Sequence, residues 1–269
     1  MRRRDFLKLA VVAVGTSLGG VAYAKQSNVI QITRSDLLIR DLPKELRIVA
    51  ISDLHAPSYF QHNDYQELVN IINDQNPDIV MLGGDVIDQW GKEGLVNAFG
   101  VVEAKIAKLA VLGNWEYSAS LDLERLRIEY GKAGITLLVN ERVTLGGLDV
   151  IGLDDFLRGS PNYDLLEGEV SSKPLLVTSH CPQSFDFMPL TPKAPLIVIS
   201  GHTHGGQIAP LGVALHTPAG CGTYLKGWYY KDKHCMYVTT GVGTVGIPVR
   251  MGPRPEILVL NLRGTESVT

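Results

Sequence analysis

Five times between residues 46 and 204 the chain sets a short run of Val, Ile and Leu before a Gly, Ser or Asp and a side chain with a lone pair to give. The runs are Leu46–Ser52, Asp78–Leu82, Leu109–Leu112, Pro174–Thr178 and Pro195–Ser200. The segments that end them are Asp53-Leu54-His55, Gly84-Asp85, Gly113-Asn114, Ser179-His180 and Gly201-His202-Thr203-His204. Short apolar runs stopped in this way read as buried strands. Asp, Asn and His at strand ends face one crevice, the place where open α/β sheets bind ligands. Oxygen donors mixed with imidazoles suit Mn, Fe or Zn. The number of donors predicts a site for more than one ion.

The rest of the chain fits one α/β domain. Strands at 46–52, 78–82, 108–112 and 135–139 alternate with helices at about 64–75, about 94–105 and from Ser120 to Gly131 or Gly134, which implies a parallel sheet. An edge strand is expected within Asn28 to Ile39. After residue 140, Gly146-Gly147 predicts a hairpin between 142–145 and 148–151. Strands at 174–179 and 195–200 flank a short helix near Pro182 to Met188. Further strand-like runs are Gln207-Ile208, Val213–Leu215, Met236–Thr240 and Glu256–Asn261. So many strands with helices between them imply two facing mixed β-sheets flanked by helices. The domain is placed at 45–262, after a linker and edge strand at 25–44 and before a tail at 263–269.

The first 24 residues are of another kind. Arg2-Arg3-Arg4 precedes an apolar stretch from Leu9 to about Val21, and Ala22-Tyr23-Ala24 has the small-x-small pattern of a signal-peptidase site. Arg3-Arg4-Asp5-Phe6-Leu7-Lys8 looks like a twin-arginine export signal. It implies the twin-arginine machinery as a partner and a place in the periplasm or on the outer face of the cytoplasmic membrane. The net charge of −3 gives no field that favours nucleic acid. Cys181, Cys221 and Cys235 are an odd set; Cys221 and Cys235 could bridge, and Cys181 reads as a small buried residue.

The five segments, in this order and spacing, resemble the calcineurin-like metallophosphoesterases, and Gly241–Arg250 with Pro255-Glu256-Ile257 resembles their exported bacterial branch. The resemblance implies a four-layer α/β/β/α sandwich and two divalent ions, Mn, Fe, Zn or Co. Asp53, His55 and His204 would hold one ion; Asn114, His180 and His202 would hold the other; Asp85 would bridge them. Asp85, Asn114 and His202 would also be catalytic. A carboxylate shared by two cations can hold them about 3.5–4 Å apart, and a water between them loses a proton near neutral pH and can attack a phosphate ester.

The chain departs from that pattern at one place. The family's Gly-Asn-His is here Gly113-Asn114-Trp115-Glu116. An indole N–H donates but does not titrate, so Trp115 cannot protonate a leaving oxygen, and Glu116 loses the histidine it would partner. His62, Tyr117 and His216 are substitute proton donors by their place in the sequence. The reading is a phosphodiesterase, with lipid- or nucleotide-linked substrates both open and a membrane-surface location compatible. The alternatives are a phosphomonoesterase or a metal-binding protein with little catalysis. Trp90, Phe99, Trp115 and Trp228–Tyr230 raise the question of an apolar wall. Asp88 is expected behind the ligands, and Asp154-Asp155 either faces the cleft or caps a turn.

Overall fold

The computed structural model describes residues 29–40, 42–56, 62–89, 99–167, 174–189 and 195–265. Residues 1–24, read above as an export signal, Trp90 and the side chain of His62 lie outside the described residues. The strands in chain order are β1 (Gln31–Arg40), β2 (Leu46–Ile51), β3 (Ile79–Leu82), β4 (Ala107–Ala110), β5 (Ile135–Leu137) and β6 (Glu141–Leu145). They continue with β7 (Leu148–Gly152), β8 (Leu175–Thr178), β9 (Leu196–Ser200), β10 (Gly227–Lys231), β11 (His234–Val238) and β12 (Glu256–Thr265). They form two six-stranded sheets, ordered β1-β12-β2-β3-β4-β5 and β10-β11-β9-β8-β7-β6. The runs β2 to β5 and β7-β8-β9-β11 are parallel. β12 returns antiparallel to β2, and β1 pairs with β12 at the sheet edge.

The period of two along each strand makes the layers. In β2, Ile48 and Ala50 point between the sheets, where they meet Leu148, Val150, Leu176 and Ile197. Val49 and Ile51 point outward against helix α1 (His62–Asp74), whose Leu68, Val69 and Ile72 are buried. Helix α2 (Asn114–Ser118) follows β4, and helix α3 (Leu123–Lys132) covers the same face with Leu126 and Tyr130. Truncating a fully buried Leu in such a layer costs about 2–5 kcal/mol. The outer face of the second sheet is covered differently. Leu166, Phe185 and Met188, from or beside the short 3₁₀ turns Tyr163–Leu166 and Pro182–Asp186, pack on Val177, Val198 and Val238.

Several expectations change. α3 starts at Leu123 because Asp122, not Ser120, caps it, accepting from the Arg125 N–H at 2.7 Å. Of the helix expected near 94–105, the described residues keep only a 3₁₀ turn, Phe99–Val101. Gln207-Ile208 keeps only an isolated bridge from Ile208 to Met251, and Val213–Leu215 is loop, because Gln207 and Leu211 take positive φ and break the extended path. Cys221 and Cys235 are free. Cys235 packs between the sheets, whereas the Cys221 thiol donates to the Gly222 carbonyl in a turn. Cys181 is buried beside Asp155, and burial pushes its thiol pKa up. The hairpin forms as expected, with Gly146 and Gly147 at φ 57° and 85°, the left-handed pair of a tight two-residue turn.

Candidate metal centre

The parallel strands deliver their ends to one point. β2 carries Asp53 and His55, β3 carries Asp85, β4 carries Asn114, β8 carries His180, and β9 carries His202 and His204. All six acidic and imidazole side chains are buried. They fall into two groups whose ligand atoms all lie within 4.8 Å of one another, Asp53, His55 and His204 in one and Asp85, His180 and His202 in the other. Asp85 Oδ2 stands between them, 3.0 Å from His180 Nε2 and 3.8 Å from His55 Nε2.

Burying so many polar groups without partners would be costly, and several atoms here do lack partners. Asn114 Oδ1, His55 Nδ1 and His180 Nε2 are buried without an aligned hydrogen bond. His55 and His204 meet Nε2 to Nε2 at 3.0 Å with rings stacked. Two carboxylates, four imidazoles and an amide oxygen pointed at shared spaces suit divalent transition ions.

Neighbours set the orientation of these groups. His180 Nδ1 lies 2.8 Å from the Gly83 carbonyl and His202 Nε2 lies 2.6 Å from the Ala219 carbonyl. A carbonyl only accepts, so those nitrogens carry the protons, and His180 Nε2 and His202 Nδ1 are left as donors to an ion. Asp53 accepts from the His202 N–H with both oxygens at 3.0 Å. Burial opposes charge on Asp85, but His180 and His55 outweigh it and hold its pKa down at about 2. Burial also works against charging His180, yet Asp85 and Asp53 raise its pKa well above the usual value. His202 is lowered by burial and by His180, and His204 is lowered well below the usual range by burial, with His55 and Arg250 adding to it.

The backbone records the same pressure. Asp53, His55, Asp85, His202 and His204 all take positive φ, between 50° and 71°. Each such residue costs on the order of 1–3 kcal/mol and persists only where its surroundings fix it. Gly113 must be glycine for a related reason: a Cβ there would collide with Asp85.

Other residues named from the sequence find varied places. Trp115 keeps its indole at the mouth, edge-on to His55 at 5.5 Å, while its backbone N–H donates to Asp85 Oδ1 at 2.8 Å. Glu116 is buried and accepts from the backbone N–H groups of Asp85, Val86, Ile87 and Gly113. Burial and the nearby Asp85 push its pKa up to about 7. It ties the β3 and β4 loops together without any histidine. Tyr117 donates to Asp154 at 2.6 Å and is not among the described residues that line the cavity. His216 lines the cavity over the ions' site. Asp154 and Asp155 hold the 155–160 turn through backbone N–H groups. Asp88 is buried but belongs to neither donor group. Of the aromatic residues considered for a wall, Trp115 lines the cavity; Phe99 is core, and Trp228 packs on Tyr237.

One contributor was not singled out. Arg250 is fully buried, donates to the carbonyls of Gly241 and Gly243, and brings Nη2 to 3.4 Å from His204 Nδ1. Burial lowers its pKa to about 10, with Asp53 and Glu256 acting the other way. The signal for it was its place at the end of the Gly241–Arg250 segment.

The chain matches the model of the calcineurin-like phosphoesterase family over residues 46–206, more than half of its length. The chain belongs to this family. It is 30% identical to an uncharacterized metallophosphoesterase of Campylobacter jejuni, over 90% of this chain and 66% of that one. It is 28% identical to the metallophosphoesterase YkuE of Bacillus subtilis, over 98% and 99% of the two chains. A transmembrane protein with metallophosphoesterase domain of Danio rerio is 26% identical over 97% of this chain and 63% of its own length. The chain thus spans about two thirds of the Campylobacter and Danio relatives. Among the described residues no helix is long and apolar enough to cross a membrane. This calcineurin-like phosphoesterase is a metal-dependent hydrolase of phosphate esters, and its two donor groups fit a dinuclear centre.

Proposed function

We propose that the protein is a phosphodiesterase in which Asp53, His55 and His204 would hold one ion, Asn114, His180 and His202 would hold the other, and Asp85 would serve both. The observation that carries this is the position of Asp85 Oδ2 between His180 and His55. Mn, Fe, Zn or Co, when bound, would supply Lewis acidity and an activated water. The chain's own part is to fix those donors. The Gly83 and Ala219 carbonyls set two histidine tautomers, the Trp115 N–H turns Asp85, and Glu116 clamps the loops that carry Asp85 and Asn114. Two carboxylates against two dications leave net positive charge at the floor, which attracts a phosphate anion.

Two features favour diesters over monoesters. No Lys or Arg is among the described residues that line the cavity, which suits the single charge of a diester better than the dianion of a monoester. Trp115 offers no proton, which suits leaving groups that depart as anions. Hydrolysis of bis(p-nitrophenyl) phosphate with Mn²⁺, abolished in Asp85→Ala, is the expected result. Retained activity in that variant would remove the bridge, and faster turnover of p-nitrophenyl phosphate would make the enzyme a monoesterase.

We also infer that residues 1–24 direct export by the twin-arginine route, as in an exported branch of the family, ahead of a domain whose first sheet begins at β1 and takes in β12 to Thr265. Arg3-Arg4, the apolar stretch and Ala22-Tyr23-Ala24 support this. Cell fractionation should find the protein in the periplasm or on the outer face of the cytoplasmic membrane. Changing Arg3 and Arg4 to Lys should leave it in the cytoplasm.

A further inference from the structure

The donor groups form the floor of a larger cavity of about 570 Å³. Asp85, Asn114, His202 and His204 lie at its base, and Trp115, Ile208, Leu215, Pro218, Val245 and Ile247 form its walls. Leu215 is 70% exposed and Ile247 53% exposed. Leu211 and Val213 stand open to solvent in the same 207–218 loop. Apolar surface concentrated at one mouth is unusual for a soluble face and marks a place where something apolar binds.

Of the polar side chains on the wall, Gln207 and Thr203 are already occupied, and His216 also lines it. Gln207 donates to the carbonyls of Val245 and Ile247 and accepts from the Val245 N–H, which ties the two wall loops together. Thr203 donates to the Leu225 carbonyl and accepts from the Gly205 N–H. A base or sugar would need several such groups for recognition, and no Lys or Arg is among the described lining residues to meet a second phosphate.

We propose that the organic part of the substrate is a hydrocarbon chain lying along the Leu215–Ile247 wall, with its one phosphodiester over the metal ligands. This rests on the phosphodiesterase reading and names its substrate class: a lipid-like phosphodiester rather than a nucleotide.

The test varies only the chain. Ethyl, butyl, hexyl and octyl p-nitrophenyl phosphates share one leaving group, so the chemical step is constant. Complete burial of a methylene is worth about fourfold in binding. In a half-open cavity the rise in kcat/KM from ethyl to octyl should be at least tenfold with the Mn²⁺-loaded protein. Leu215→Asp with Ile247→Asp, both at exposed positions, should cut the octyl-to-ethyl ratio to within about twofold of one. Unchanged thermal melting would show that the variant folds. A flat series in the parent protein overturns the proposal, as does a ratio that survives the double variant. A thymidine 5′-p-nitrophenyl phosphate turned over faster than the octyl ester also overturns it. Calorimetric binding of octylphosphonate against ethylphosphonate separates this inference from the reading beneath it. If no ester is hydrolysed while octylphosphonate binds at least tenfold more tightly, the phosphodiesterase reading fails and the apolar site stands. If esters are hydrolysed without regard to chain length, the reverse holds.

Discussion

The floor and the rim of the cavity are built on opposite terms. Beneath the floor, Asp53, His55 and His180 are completely buried and come from strand ends in both sheets; Asp53 accepts from the His202 N–H and His180 donates to the Gly83 carbonyl. At the rim, Leu211, Val213, Leu215 and Ile247 are exposed and sit on two loops of the last quarter of the chain. The floor spends backbone strain to fix direction. The rim spends apolar exposure and fixes little. Such a division suits chemistry that tolerates no misplacement beside recognition that needs only surface, since a displacement of about 1 Å at reacting groups can cost a hundredfold in rate while a hydrocarbon chain adapts.

Removing the ions should separate the two most sharply. Chelation of the protein should lower phosphodiester hydrolysis more than a thousandfold, with recovery on adding Mn²⁺. Ions at about a hundred times their Kd stabilise a fold by about 2.7 kcal/mol, so the melting temperature should fall as well. Binding of octylphosphonate should retain its preference over ethylphosphonate in the chelated protein, because Leu215 and Ile247, which would hold the chain, offer no donor to an ion. If the preference vanished with the ions, the two regions would be one.

Gly113→Ala comes next. The added Cβ has no room against Asp85, so Asp85 must move off the line between His55 and His180. Activity should drop by about a hundredfold with a lower melting temperature. An unaffected rate would mean that the floor is more pliant than its geometry states. Glu116→Ala should cost about 2–4 kcal/mol, since four buried N–H groups lose their acceptor. Denaturant unfolding measures this, and a loss under 1 kcal/mol would assign the clamp elsewhere.

Trp115 lies on the boundary, its N–H committed to the floor and its ring to the mouth. In the parent protein, rates should fall steeply as leaving-group pKa rises. Trp115→His should flatten that slope and raise turnover of alkyl leaving groups by about tenfold or more, within the range of general acid catalysis. If His216, at the rim, is the donor instead, the parent slope is already shallow and His216→Ala steepens it.

The same contrast explains what the sequence disclosed. The floor was legible because few residue types ligate metals and because each follows a run whose only stable home is a buried strand. Glu116 was legible as a residue without its histidine but not as a clamp, since its four partners come from two loops that meet only in the fold. Arg250 was hidden by distance along the chain. The rim was misread: Val213–Leu215 carries strand-like residues, and nothing local shows that Val213 and Leu215 face water. Periodicity reports burial, so apolar residues exposed for binding resemble core.

Leu211 gives the smallest and most direct check of that view. Its side chain is 99% exposed and its φ is 55°. A left-handed conformation costs a branched residue about 1–2 kcal/mol, and no burial of the side chain offsets it. Asparagine accepts this conformation more readily and adds no backbone freedom to the unfolded chain as glycine would. Leu211→Asn should therefore raise stability by about 0.5 kcal/mol, measured by denaturant unfolding, while the ethyl ester is turned over as before. If stability falls instead, Leu211 packs on something in the folded protein and the rim is more ordered than its exposure indicates. If stability rises and the octyl preference declines together, the residue trades stability for recognition, which is the relation that separates rim from floor.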